Sequence, residues 1–168
     1  MTIPTLTTPR LFLRPWEESD AGRLFDILQE PGIFKYFPKT TPPPRPWVDR
    51  YILHHLAHWQ ERGCGHWAVV TREDGQVVGW TGLEYLPELD QTEVAYLLGG
   101  EAQGRGLATE AAQAAYSAGN QYEVVTPGSD LHQHLRGYEG GYFDIRHQNA
   151  EALNAGLPAV VLPCAEHV

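Results

Sequence analysis

The residues best suited to chemistry lie in segment 103–108, which reads QGRGLA. A strand-like run at 92–98 precedes this segment, and a helix-like run at 108–116 follows it. The first turn of a helix leaves about four N–H groups without intrahelical partners, and the helix dipole adds partial positive charge there. Glycines in the segment allow the backbone to turn tightly and to approach a diphosphate with no Cβ in the way. The segment therefore predicts a site for the pyrophosphate of a nucleotide-like cofactor.

The motif narrows the choice of cofactor. It lacks the Gly-Lys-Ser/Thr ending of a Walker A loop and the three spaced glycines of the dinucleotide fingerprint. It resembles the pyrophosphate loop of the GNAT N-acetyltransferases, whose pattern is Gln/Arg-x-x-Gly-x-Gly/Ala. Gln103, Gly106 and Ala108 occupy the three specified positions. The resemblance implies acetyl-CoA as the co-substrate.

Flanking blocks resemble the ribosomal-protein-acetyltransferase (Rim-type) branch of the same family. Residues 10–16, followed by 19–21, resemble the opening of that branch, and residues 93–98 resemble its fourth strand. Residues 106–111 resemble its phosphate loop and third helix, so the likeness covers about residues 10–118. The implied fold is α+β (α/β), the GNAT acyl-CoA-binding fold, with a central mixed, mostly antiparallel sheet flanked by helices. Its fourth and fifth strands splay apart.

The resemblance also implies an activity and a site. The activity is acetyl-CoA-dependent N-acetyl transfer to a primary amine, either a protein N-terminus or a small molecule. The residues expected to bind the cofactor are Leu97, Leu98, Gln103, Gly104, Arg105, Gly106, Leu107, Ala108 and Thr109. A backbone N–H near Leu97 or Leu98 would polarise the thioester carbonyl, because a preorganised dipole there meets the developing oxyanion. Glu93 is the candidate general base, with an ordinary surface glutamate as the alternative interpretation, and Tyr138 is the candidate general acid.

The composition indicates one soluble domain over residues 1–168, with an atypical C-terminal part at 119–168. Hydrophobic residues make up 42% of the chain and charged residues 20%, as in globular proteins. No apolar run approaches the roughly 20 residues of a membrane span. Residues 1–16 lack a signal-peptide core and cysteines are few, so we expect a cytoplasmic monomer or homodimer with no membrane partner. The net charge of −9 argues against nucleic-acid partners and suits a cationic amine.

Periodicity predicts the element order β-α-α-β-β-β-α. A strand at 11–14 precedes a helix that has Ser19 as its N-cap and runs to position 28. The proline-rich stretch 38–46 predicts an extended linker, and a helix over 47–62 is expected to end at the following glycine. Apolar strands at 66–71 and 76–83 flank an Asp-Gly turn and predict a hairpin.

Three histidines, His54, His55 and His58, cluster in the helix predicted over 47–62. His54 and His58 are one helical turn apart and can share a face, which is the spacing of a metal-binding pair. No carboxylate completes the HExxH pattern, so a solvated helix face is the favoured interpretation. The expected site therefore contains no metal.

The resemblance weakens after Gly119. Positions 122–126 are suited to the fifth strand, 129–136 to a shortened fourth helix, and 142–147 with 159–162 to a closing hairpin. The Asn-x-x-Ser pattern of the family's fourth helix is absent. Three hypotheses stay open: an N-acetyltransferase, a GNAT-fold protein that binds CoA without catalysis, and a metal-binding domain built from the tail.

The metal-binding hypothesis depends on residues 124–134, which resemble the Pro-Gly-x-x-Asp-x-His-x-His stretch of metal-dependent amidohydrolases with one residue missing. On a strand, Asp130, His132 and His134 share a face and can converge on an ion. On a helix, residues two apart diverge by about 200° and cannot. An active amidohydrolase is excluded, because its barrel needs about 250 residues.

Overall fold

The computed structural model describes residues 2–35, 40–86, 91–121 and 161–162. The described strands are β1 (Leu6–Thr7), β2 (Leu11–Arg14), β3 (His66–Thr71), β4 (Val77–Leu86), β5 (Gln91–Leu98) and β6 (Val161–Leu162). The described α-helices are α1 (Ala21–Leu28), α2 (Arg45–Arg62) and α3 (Leu107–Gln121). Short 3-10 turns at Glu18–Asp20 and Gly100–Ala102 precede α1 and α3. The predicted element order is confirmed, with β1 added before it.

The strands form one sheet in the order β1-β2-β3-β4-β5-β6, and each described neighbouring pair is antiparallel. Trp67 and Val69 of β3 pack in the cluster that contains α3, whereas Ala68 and Val70 pack in the cluster that contains α1 and α2. Helices therefore cover both faces of the sheet, and five successive residues of β3 are buried. The predicted α+β class, with helices flanking a mostly antiparallel sheet, is confirmed. The predicted fifth strand, at 122–126, lies outside the described residues, as does the predicted splay.

Two glycines of β4 permit close approach of the neighbouring strands. A Cβ on Gly79 would overlap the backbone oxygen of Leu97, and a Cβ on Gly82 would overlap the backbone oxygen of Gly65. Because both positions lack a side chain, the backbones on either side can approach β4 closely. The register that results places Gly79 opposite Leu98.

Helix α2 begins two residues earlier than predicted, at Arg45. Proline is tolerated in the first turn, where its missing N–H has no intrahelical partner to lose, so Pro46 lies inside the helix rather than in the linker. The predicted end is confirmed: Gly63 adopts a left-handed φ of 68°. Among the described residues, no helix is both long enough and apolar enough to cross a membrane.

The start of α1 corrects the sequence prediction, because Ser19 is not its N-cap. A 3-10 turn over Glu18–Asp20 comes first, and its buried Asp20 accepts a hydrogen bond from the backbone N of Glu17 at 2.8 Å. Asp20 also accepts from both terminal nitrogens of Arg14, each at 2.7 Å. This paired carboxylate attaches the start of α1 to the end of β2, and it is a buried charge with its partners in place.

Candidate active site

The segment 103–108, here called the phosphate loop, forms the turn between β5 and α3. Gly104 and Gly106 have left-handed φ values of 69° and 74°, which an L side chain rarely adopts. Residues 103–106 are exposed, and α3 begins directly afterwards at the buried Leu107. No heavy atom lies within 4 Å of the position that a Cβ on Gly104 would take. The predicted strand–turn–helix context is confirmed, with bare backbone exposed at a helix N-terminus.

Side-chain hydrogen bonds attach the phosphate loop at two points. Gln103 Nε2 donates to the backbone oxygen of Leu98 at 2.8 Å, which ties the loop to the end of β5. Arg10 Nη1 donates to the backbone oxygen of Arg105 at 2.7 Å, which ties its centre to the start of β2. Because these bonds use a glutamine side chain and a loop carbonyl, they fix the loop without using its backbone N–H groups.

Glu110, in the first turn of α3, holds Arg10 in position. Its carboxylate accepts hydrogen bonds from Thr8 Oγ1 at 2.6 Å, from the backbone N of Arg10 at 2.9 Å and from Arg10 Nε at 2.6 Å. Burial alone would raise the pKa of Glu110, but these three hydrogen bonds and the charge of Arg10 together lower it below its ordinary value. Both residues lie in blocks that the sequence singled out, yet their pairing across 100 positions was not predicted.

A surface pocket of about 360 Å³ adjoins the phosphate loop. Its lining consists of Pro9, Arg10, Thr71, Arg72, Glu73, Arg105 and Leu107. Three arginines face one glutamate there, and the ion pair of Arg105 with Glu73 is long, at 3.9 Å. The pocket therefore carries excess positive charge, which suits a phosphate-bearing ligand.

The far edge of β5 presents backbone groups beside the loop. Gly99 N donates to Val78 O at 2.8 Å, so in the alternation of an antiparallel ladder the N–H of Leu97 faces β4 and that of Leu98 faces away. In the described part of the chain, the strand on this far edge is β6, which pairs at Thr92 and Glu93. Of the two predicted thioester contacts, the geometry thus favours Leu98 over Leu97.

The structure describes some of the remaining predicted site residues, whereas others lie outside the described residues. Leu107 is buried in the core, so its side chain packs and only its backbone faces the loop. Ala108 and Thr109 are half-buried in the first turn of α3. The backbone of Glu93 pairs in register with that of Glu84. Tyr138 and the tail motif at 130–134 lie outside the described residues.

A cluster of imidazoles and aromatic rings lies on the α2 face of the sheet. The ring of His66 stacks on Trp80 with centroids 4.4 Å apart and on His55 with centroids 3.8 Å apart. The Tyr51 hydroxyl lies 2.7 Å from His66 Nδ1, and Glu84 Oε2 lies 3.6 Å from His66 Nε2. We call these residues, with His54, the imidazole cluster. No motif in the sequence points to His66, Trp80, Tyr51 or Glu84.

The expectation of a solvated histidine face is wrong for His55, which is only 2% exposed. The buried positions of α2 include Val48, Ile52, His55 and Trp59, a spacing of four, three and four residues that follows one helix face. That spacing is visible in the sequence and was the signal for burial. Burial, together with His54 and His58, lowers the pKa of His55 to about 3. Burial likewise lowers the pKa of His66 well below its ordinary value and raises the pKa of Glu84.

Comparison with known proteins agrees with this geometry. A sequence model of the acetyltransferase (GNAT) domain matches residues 10–154. An acetyltransferase from Agrobacterium tumefaciens has a similar structure, with a TM-score of 0.64, 28% identity and coverage of 86% of each chain. A GNAT-family acetyltransferase from Bacillus anthracis gives a TM-score of 0.60 at 18% identity, covering 71% of this chain and 68% of its own. RimL, a ribosomal alpha-N-protein acetyltransferase solved with coenzyme A, gives a TM-score of 0.58 at 15% identity. The match covers 73% of this chain and 69% of RimL.

The fold and the phosphate loop thus define an acyl-CoA-dependent transferase, and the chain belongs to the GNAT acetyltransferase domain family. The similarity to RimL, at 15% identity, shows a shared fold. The family match continues to residue 154, well beyond the point at which the motifs weaken. Acetyl transfer from acetyl-CoA is therefore the established class of reaction, and the predicted enzyme class is confirmed.

Glu110→Gln tests whether the carboxylate holds the loop region together. Charge-assisted hydrogen bonds contribute more than neutral ones, so we expect a loss of about 1–2 kcal/mol in the free energy of unfolding at neutral pH. A carboxylate whose pKa is lowered on folding stabilises the protein above its unfolded pKa and loses that effect as the pH falls. The difference between wild type and variant should therefore shrink as the pH drops below the ordinary value of 4.5. Denaturant unfolding at a series of pH values measures it.

The matched control is Glu101→Gln, at an exposed position in the Gly100–Ala102 turn. This control should stay within about 0.5 kcal/mol of wild type at neutral pH. Equal stability of Glu110→Gln and wild type at neutral pH would show that the hydrogen bonds of Glu110 contribute nothing.

Proposed function

We propose that the protein acetylates a primary amine by direct attack on acetyl-CoA in a ternary complex. The observation that carries this proposal is the phosphate loop itself. Two left-handed glycines expose backbone at the N-terminus of α3, beside a pocket with three arginines and beside the far edge of β5. The loop and the pocket match a diphosphate, and the far edge of β5 matches a strand-like pantetheine arm that ends in a thioester.

The cofactor is proposed to lie with its pyrophosphate at the phosphate loop and its thioester at β5. The pyrophosphate accepts hydrogen bonds from backbone N–H groups of the loop and the first turn of α3, where the helix dipole adds to the attraction. The residues proposed to take part are Gln103, Gly104, Arg105, Gly106, Leu107, Ala108 and Thr109. The pantetheine arm pairs with the far edge of β5, and the N–H of Leu98 donates to the thioester carbonyl. The N–H of Leu97 faces β4 and helps to hold β5 in the sheet.

The chemistry is proposed to need proton transfers at the amine and at the thiolate, and no metal. Glu93 removes a proton from the ammonium group of the acceptor, and the free amine then attacks the thioester carbon. The tetrahedral oxyanion is stabilised by the Leu98 N–H, and its collapse breaks the carbon–sulfur bond. Tyr138 gives its proton to the departing thiolate, and the acylated nitrogen gives its second proton to the resulting phenolate. Glu93 then releases its proton to solvent. The products are the acetylated amine and CoA.

The proposed acceptor is a cationic amine, either a protein N-terminus or a small molecule. The net charge of −9 supports this choice through long-range attraction of a cation. The competing proposal is a protein that binds CoA but has lost turnover through its tail. Release of free thiol from acetyl-CoA in the presence of a panel of amines separates the two, because only a working transferase releases thiol in step with acceptor.

Gly106→Asp and Gly106→Asn form a matched pair for testing the loop. Both side chains occupy the same space and both are among the residues that tolerate a left-handed backbone, but only aspartate places a negative charge against the pyrophosphate. We expect Gly106→Asp to weaken acetyl-CoA binding at least about tenfold, or about 1.4 kcal/mol, relative to Gly106→Asn. Isothermal calorimetry on variants shown to be folded measures this difference. Equal affinities in the two variants would remove the pyrophosphate from this loop.

Glu93→Gln tests the proposed base. The variant should bind acetyl-CoA normally, since the side chain is assigned to the acceptor amine, but kcat should fall by about 10²-fold or more at neutral pH. The loss should diminish at high pH, where the amine is already deprotonated in solution. A pH series of thiol-release rates measures both effects. A variant with wild-type rates at neutral pH would make Glu93 a structural residue of β5.

A further inference from the structure

Three potential metal ligands meet on the α2 face of the sheet. One ligand atom each from His54, His55 and Glu84 lies within 4.8 Å of the others. The ring centroids of His54 and His55 are 5.0 Å apart. With zinc–nitrogen bonds of about 2.0–2.1 Å, two imidazoles on one tetrahedral ion have centroids about 5 Å apart. Ligand atoms on one zinc lie about 3.5 Å apart, so closing the site needs shifts of about an ångström.

The two residues that must move have side chains in contact with solvent. His54 is exposed on α2, and the side chain of Glu84 is about one-third exposed, at 32%. His55 is fixed instead by burial and by stacking on His66. The site is therefore one rigid ligand with two adjustable ligands beside it.

Buried nitrogen atoms in the imidazole cluster lack hydrogen-bond partners. Among the described residues, His55 Nδ1 and His66 Nε2 are buried and have no hydrogen-bond partner. Both residues are only 2% exposed, so water does not readily replace the missing partner. A buried polar atom left unsatisfied costs about 1–3 kcal/mol, so such atoms call for an explanation. An ion bound at His55 Nδ1 would supply the missing partner of that nitrogen atom.

The third histidine of α2 has a different hydrogen-bond partner and is not part of the proposed ligand set. His58 is oriented elsewhere, with its Nδ1 2.7 Å from the backbone oxygen of Cys64.

We infer that His54, His55 and Glu84 bind a divalent transition-metal ion of borderline softness, with zinc as the expected ion. Two imidazoles and one carboxylate suit zinc, whereas magnesium and calcium prefer oxygen ligands throughout. Three protein ligands leave a fourth position for water or a solute. The proposed acyl transfer itself uses no metal.

Zinc titration of the demetallated full-length protein against a chromophoric chelator tests the site. Wild type should bind about one equivalent, and His54→Gln and Glu84→Gln should each weaken binding at least about tenfold. The matched control is His58→Gln, whose amide can still donate to Cys64 O, and it should bind as wild type does. Cobalt in place of zinc should give a visible absorption band that disappears in His54→Gln.

Several results would overturn this assignment. No binding in wild type, or unchanged binding in both His54→Gln and Glu84→Gln, would exclude a site at these residues. An equal loss in His58→Gln would show that the ligand set is different. The double variant His132→Ala/His134→Ala probes the tail motif, and a loss of zinc there with binding retained in His54→Gln would place the ion in the tail.

Discussion

The ion pair between Arg10 and Glu110 is the interaction on which the rest of the cofactor side depends. An exposed loop of glycine-rich backbone has few packing contacts of its own, so its shape must be imposed from outside. Glu110 fixes the Arg10 side chain from α3, and Arg10 in turn holds the carbonyl of Arg105. The N-terminus of the helix and the start of β2 are thereby joined at the point where the phosphates are proposed to bind. Charge-assisted bonds suit this task because they are short and directional.

The two faces of the sheet have different chemical character. The α3 face supports the phosphate loop through an apolar cluster of leucines and alanines, and its charges lie at the surface beside the loop. The α2 face carries the imidazole cluster, where titratable groups are buried against tryptophan and tyrosine rings. Strand β4 carries Glu84, which is paired in register with Glu93 of β5. The proposed metal site and the proposed base are therefore on adjacent strands of one sheet.

Local patterns in the sequence predicted the elements, and they predicted the phosphate loop because it is a contiguous segment with its own turn chemistry. The end of α2 at Gly63 followed from glycine's backbone freedom, whereas Ser19 was misassigned because Asp20 found a stronger partner in Arg14. The pairing of Arg10 with Glu110 and the meeting of His55 with Glu84 depend on how distant segments pack. Such contacts leave no local pattern. Of these features, only the burial of His55 could have been predicted, from the spacing of apolar residues along α2.

The most direct test of cofactor binding at the phosphate loop is site-resolved amide hydrogen exchange, measured by NMR with and without acetyl-CoA. Amides that donate to the pyrophosphate and the thioester should exchange more slowly in the complex, because they gain hydrogen-bond partners. We expect the slowing to be concentrated at residues 104–108 and at Leu98, with the amides of α2 little changed. Binding that leaves 104–108 exchanging as in the free protein would contradict the placement of the cofactor on this loop.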